Sequence, residues 1–394
     1  MATPRTFRRF PATARQRGAS IVETMVGILI GLIVVAVIYN TLIVAEGFRR
    51  STLGVADAQV TGQLSQFIVG RELSNAGNGV MSGDGIAALA LCDEWRLRPM
   101  PALITDGGAA TTSDTLTIFY SNSPKIVHPV RVEDPAMAAA TDPITVASPN
   151  GFRVNDWFVA TDRAANCTLG QVTAITQPDN SVYPPAAAGG FVKLAFASKA
   201  GAAASYPVGP SRVVNLGQNM TRSLYSIDAA KSQLNTTDDN PGLLVAATPV
   251  PLAQNVVLLK AQYGVDTSNP PDQIPDCWTP ADNSDTCGVG LDFSAAVFQT
   301  VPAPANMAAR IAAIKAIRVA VVVRSEDVAK DDPANQTLWG RSAVGAPDVW
   351  LFNCAADDAT CQGRLRINPM LQDGVRYRTY EATIPLRNSI WNEP

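Results

Sequence analysis

The chain of 394 residues has one histidine, His128, and little charge of either sign, with only 16% of residues ionisable as Asp, Glu, Lys or Arg. The lone histidine sits in an apolar-flanked segment before a proline, and no Gly-x-Ser-x-Gly elbow accompanies it, so a serine hydrolase has no support. There is no Cys-x-x-Cys pair and no His-Glu-x-x-His, which leaves a zinc site without ligands. No P-loop and no Gly-x-Gly-x-x-Gly following a strand are present, so nucleotide use is unsupported. Lysine is scarce, and most of the basic charge is arginine. No internal repeat is apparent. These absences argue against an enzyme, a metal and any cofactor.

Acid is missing from one place in particular. The first 18 residues carry Arg5, Arg8, Arg9, Arg15 and Arg17 and no carboxylate. The net charge of −3 becomes −8 once these five are set aside. An acidic body is a poor nucleic-acid binder, because phosphate contacts need Lys and Arg. Apolar residues at 47%, with 28 Gly and 28 Pro, describe a folded chain with many turns.

The strongest signal follows the basic leader. From Ala19 to Ala45 the only charged residue is Glu23. The uncharged run from Thr24 to Ala45 corresponds to roughly 33 Å of helix, against a bilayer hydrocarbon core of about 30 Å. It is long enough to span, and the preceding arginines put the N-terminus in the cytoplasm. An ordinary cleaved signal peptide has a shorter apolar run and a small-residue cleavage site, neither of which is found here. A plain signal anchor leaves Glu23 unexplained, since a carboxylate inside an apolar segment is costly in lipid and needs a partner. Gly27 and Gly31 form a small-xxx-small pair suited to close helix approach.

The stretch Arg17-Gly18-Ala19-Ser20-Ile21-Val22-Glu23 and its apolar continuation resembles the class III prepilin signal. The resemblance implies cleavage between Gly18 and Ala19 by prepilin peptidase, N-methylation of Ala19, and an assembly role for Glu23 opposite a neighbour's new ammonium. Asn40 stands where major pilins often carry a proline, which favours a minor pilin.

Beyond the apolar run, Leu53, Ala56, Val60, Leu64 and Phe67 recur at helical steps, and no proline interrupts residues 19–76. The expectation is one long helix, ended by Asn75-Ala76-Gly77-Asn78-Gly79, whose second half covers a head. From Gly79 on the pattern is β-rich and turn-rich, with runs at 114–121, 157–161, 171–176, 191–196, 222–227, 256–265, 317–323 and 376–384. Short helices are expected at 135–140 and 303–316.

Six cysteines downstream of an export segment suggest an oxidising compartment. Fifteen pairings are possible; the two close pairs suit Cys277–Cys287 and Cys354–Cys361, leaving Cys92 with Cys167. Asp266, Asp272, Asp276, Asp282 and Asp285 crowd the first of these loops, where carboxylates could hold calcium. Their spacing is not that of an EF-hand, and a solvated acidic loop is the reading taken.

Several phrases in the body resemble PilW-type minor pilins: Leu252-Ala253-Gln254-Asn255 with the run to Asp266, Ile317-Arg318-Val319-Ala320 with Val323-Arg324-Ser325, the ending from Tyr377-Arg378 to Asn388, and the helix exit Arg71–Gly77. The family resemblance implies an α+β, type IV pilin-like fold. It would comprise a basic leader (1–18), a membrane-spanning and pilin helix (19–78), and a β-rich periplasmic or extracellular head (79–394). It further implies a place near the pilus tip with other minor pilins, the major pilin and a tip adhesin, and support for twitching motility and adhesion. A type II secretion pseudopilin has the same layout, and an anchored extracellular binding protein that never enters a fibre is the reading from another class.

Overall fold

The computed structural model describes residues 18, 20–108, 112–125, 128–147, 150–177, 191–200, 205–240, 247–284, 286–325, 349–352, 365–367 and 377–390. Its first element is α1 (Ile21–Asn75), a helix of 55 residues. The chain divides into two compact units between Leu53 and Gly54.

In the first unit the helix is apolar all round and makes no core. Every described side chain from Ile21 to Arg50 is exposed. Its best 18-residue window has a mean hydropathy of 2.8, which makes α1 long and apolar enough to cross a membrane.

In the second unit the helix has two faces. Ala58, Gly62, Ser65, Val69, Glu72 and Leu73 are buried against the β-rich head. The expected covering stripe is on the other side: Val60, Leu64 and Phe67 are 64%, 45% and 65% exposed, and Ala56 is exposed too. At about 100° per residue the two sets lie nearly opposite each other around the helix axis. The sequence period was right and the assignment of its inner face was wrong. The buried side is small and partly polar because the helix backbone approaches the sheet closely. A Cβ on Gly62 would run into the Tyr380 ring, and the Gln66 side-chain amide donates to the Glu381 carbonyl at 2.7 Å.

The helix ends where the head can take over its backbone groups. Gly77 adopts φ +77° and gives its N–H to the Phe119 carbonyl at 2.9 Å. The Asn388 amide, from near the opposite end of the chain, donates to the Ala76 carbonyl at 2.9 Å.

The head is built from antiparallel sheets. β1 (Ala102–Thr105) and β2 (Thr115–Tyr120) pair first. The chain then leaves to make a six-stranded sheet from β3 (Val130–Arg131), β4 (Ile144–Val146), β5 (Trp157–Thr161), β6 (Cys167–Thr176), β7 (Val192–Ala200) and β8 (Arg212–Gly217), in the order β3-β8-β5-β6-β7-β4. It returns with β9 (Thr221–Asp228), which lies beside β2, followed by β10 (Gln233–Asp238) and β11 (Val250–Gln254), completing the order β1-β2-β9-β10-β11. The six-stranded sheet is therefore an insertion between two neighbouring strands. A four-stranded sheet follows, β13-β12-β14-β17, from β12 (Val256–Val265), β13 (Cys277–Thr279), β14 (Ile314–Arg324) and β17 (Tyr377–Pro385). A ribbon of β15 (Val349–Leu351) and β16 (Leu365–Ile367) completes the described strands. The short helices are α2 (Gly85–Leu89), α3 (Ala295–Gln299), α4 (Met307–Ala313) and α5 (Arg387–Ile390), with a 3-10 turn at Trp95–Leu97.

The alternation of strand side chains gives the inserted sheet two apolar faces. Phe158, Ala160, Val172 and Val213 face a core of their own with Val146, Leu194 and Tyr206. Val159, Leu169, Val214 and Leu216 join the larger core shared with α1, β2, β12 and β14. β14 is flanked by β12 and β17 and buried almost throughout, which explains its run of β-branched residues.

Two expectations fail locally. Residues 135–140 form no helix; Met137 bridges to Tyr206 and accepts its N–H at 2.9 Å, so the buried methionine belongs to a sheet edge. The run expected to be helical over 303–316 is helical only at Met307–Ala313, and from Ile314 the chain is strand, because pairing on both sides overrides the alanine-rich propensity.

Candidate functional site

The helix carries the predicted site residues. Gly18 is exposed just before the helix, and Ala19 lies outside the described residues. Glu23 occupies the first turn, where its N–H meets the Ser20 carbonyl at 2.9 Å and a carboxylate is favoured by the helix dipole. Gly27 and Gly31 have nothing within 4 Å of where a side chain would start. The helix surface around both glycines is open.

The exit of the helix is held by a polar cluster that sequence reasoning noticed only as a phrase. Glu72 is buried and accepts hydrogen bonds from Arg71 Nη2 at 2.8 Å and from the Tyr120 hydroxyl at 2.7 Å. Burial, and then the hydrogen bond to Glu72, push the Tyr120 phenol above its ordinary range. Tyr120 closes β2, so this cluster fixes α1 to the sheet that β9 rejoins. The only hint in the sequence was an acid and an arginine side by side near the end of an otherwise weakly charged helix.

A second buried pair was not foreseen. Lys260 Nζ lies 2.6 Å from Asp114, and both residues are almost fully buried. Asp114 also accepts the N–H groups of Ala261 at 2.9 Å and Gly107 at 3.0 Å, so the ion pair and its hydrogen bonds lock β12 to the turn before β2. Arg98 is buried, with no carboxylate within ion-pair distance among the described residues. It donates to the carbonyls of Cys92, Phe298 and Thr300 at 2.8, 2.6 and 2.7 Å, tying the disulfide region to α3.

The structure pairs Cys92 with Cys167 and Cys277 with Cys287, with Cα separations of 5.6 and 5.7 Å. Cys354 and Cys361 lie outside the described residues. Of the acidic loop, Asp266, Asp272 and Asp276 each bring one oxygen within 4.8 Å of the others. These oxygens are already used locally. Asp266 accepts from the N–H groups of Ser268 and Gln273, and Asp276 from the N–H of Thr267 and the hydroxyls of Thr267 and Ser268. That is a self-capped loop, and the hydrogen bonds to Asp276 hold its carboxyl below the usual range. Asp282 caps Ser284, and Asp285 lies outside the described residues. His128 is exposed.

The arrangement so far is that of an α+β protein with a β-rich head and one helix apolar enough to serve as a membrane anchor. Residues 221–388, 168 of the 394, match the family described as Type IV Pilus-assembly protein W, so this part of the chain is similar to that family. No curated protein and no solved structure matches the chain. The matched segment begins at β9 and ends in α5, so the inserted sheet β3–β8 lies wholly outside it.

Proposed function

We propose that this chain is a minor pilin that takes part in starting or extending a type IV pilus near its tip. Residues 1–18 are its leader, residues 19–78 its anchor and packing helix, and residues 79–394 its head. In this reading prepilin peptidase cuts between Gly18 and Ala19, Ala19 is N-methylated, and the helix holds the protein in the inner membrane with its head in the periplasm. The helix then leaves the membrane by exchanging lipid for the helices of the major pilin and other minor pilins. A tip adhesin, twitching and adhesion follow downstream. The protein acts by assembly, not by catalysis.

One observation carries this reading. The apolar stripe Val60, Leu64 and Phe67 points away from the head that this part of the helix covers. An aqueous helix does not need exposed Phe and Leu at that spacing, whereas a helix that enters a bundle does. Glu23 supplies the polar half: in a bundle its carboxylate can meet the Ala19 ammonium of a neighbour, so neither charge is left alone.

The test is mass spectrometry of the membrane and sheared-pilus fractions, with Glu23→Ala and Phe67→Asp alongside wild type. The expected result is a methylated Ala19 N-terminus in both fractions. Both variants should be processed yet reach the sheared fraction about tenfold less, the order of effect of losing one buried interaction. An intact leader, or wild-type levels of both variants in sheared pili, overturns the proposal.

A further inference from the structure

The head has a cavity of about 660 Å³ between α2, α4 and the loop after β12. Its walls are mainly apolar, with Ile86, Ala309 and Ala312 among them. Its size falls in the range of small-ligand sites, about 300–1,000 Å³. None of the exposed stripe residues of α1 lines it.

Its charged groups are unevenly satisfied. Lys315 lines the cavity and is 3% exposed. Its ammonium donates to the Gln273 side-chain oxygen at 2.6 Å, and no carboxylate lies within ion-pair distance among the described residues. An ammonium has three donors, and a buried one without a counter-charge is costly. Burial lowers the Lys315 pKa from its ordinary value, and the Asp266 carboxylate, beyond ion-pair distance, opposes that shift only in part. The two carboxylates that line the cavity are already engaged. Asp266 accepts two backbone N–H groups, and Asp84 is held by Arg163 at 3.2 Å and by Arg212 at 2.8 Å. Two cations, Lys315 and Arg163, and two carboxylates, Asp84 and Asp266, line the cavity, and of the two cations only Lys315 lacks an ion pair among the described residues. Asp272 and Asp276 are exposed nearby, where solvent and salt screen them.

We propose that this cavity binds a free amphipathic monocarboxylate, with its chain along the alanines of α4 and its carboxylate on Lys315. The anion supplies the direct ion pair that Lys315 lacks, and the apolar body replaces water on a surface that gives water few partners. A neutral ligand of the same length gains only the second effect.

The experiment uses the full-length chain in lipid nanodiscs, with empty nanodiscs as reference, and equilibrium dialysis of labelled octanoate and 1-octanol. Octanoate is expected to bind saturably, with one site per chain and at least about tenfold tighter than octanol. Lys315→Met keeps the stem and removes the charge; it should erase that preference while leaving octanol binding in place. Ala312→Trp, on the cavity wall, should abolish both. Equal affinity for the two probes in wild type, no saturable octanoate binding, or an undiminished preference in folded Lys315→Met each overturns the proposal. The wild-type comparison alone is decisive even if a variant does not fold.

Discussion

The inserted sheet β3–β8 and the segment β9–α5 are both antiparallel β structure, yet they are tied into the head in different ways. The inserted sheet has a small core of its own and shares only its second face with the rest. Its covalent tie is the Cys92–Cys167 disulfide across 75 residues. The family-matched segment supplies β9, β14 and β17, and with them Tyr380, Glu381 and Asn388 against the helix. Contacts that position the helix thus come from the matched part as well as from β2, through Tyr120 and Phe119, and the insertion is an addition between paired strands β2 and β9. A region with its own core and one long-range crosslink should be held to the head by fewer terms than the strands that build the shared core.

The comparison breaks most readily at that crosslink. Replacing Cys92 and Cys167 together by alanine releases a long loop, and should cost about 4.5 kcal/mol on the chain-entropy relation. Replacing Cys277 and Cys287, only 10 residues apart, should cost about 2.7 kcal/mol on the same relation. Urea unfolding of the two double variants reads the difference, and equal losses would mean that the inserted sheet is held by packing alone. Between these two lies Lys260→Met, which strands Asp114 in the shared core at a cost of about 4 kcal/mol. In a double-mutant cycle with Asp114→Asn the two losses should overlap by more than about 0.5 kcal/mol. Tyr120→Phe deletes one hydrogen bond to the Glu72 carboxylate and should cost about 2 kcal/mol. Its second readout is amide exchange in the last turns of α1, which should quicken.

Much of this architecture was legible. The eight β-favouring runs read from the sequence each fall on a strand where described, because their β-branched and aromatic residues sit on half-buried or buried ladders. The strands that escaped are short, such as Val130–Arg131 and Ile144–Val146, or polar, such as Gln233–Asp238, whose pairing partners rather than composition make them strands. The stripe at Ala56 to Phe67 was found but turned the wrong way. Periodicity reports that a face exists and is silent on which neighbour covers it, and small residues such as Gly62 leave no apolar signal at all. Pairs such as Lys260 with Asp114, 146 residues apart, have no local signature. Glu23 drew notice because a charge in an apolar run stands out without any fold.

The finest distinction between the two regions is in alkaline solution. Burial pushes the phenols of Tyr206, in the inserted sheet's core, and Tyr225, on β9, up to about 12 from an ordinary 10.0. Both folded-state values are raised, so below pH 10 their contribution is fully present. Between pH 10 and 12 the unfolded chain releases protons that the folded one keeps, and stability falls as pH rises. Each tyrosine adds at most about 1.4 kcal/mol per pH unit to that fall. Tyr206→Phe and Tyr225→Phe should each flatten the decline in urea midpoint over that interval. If the head unfolds as one cooperative unit, both substitutions act on the same transition. If the inserted sheet opens first, Tyr206→Phe should change the slope of an early transition only and leave the later one, where Tyr225 ionises, as it was.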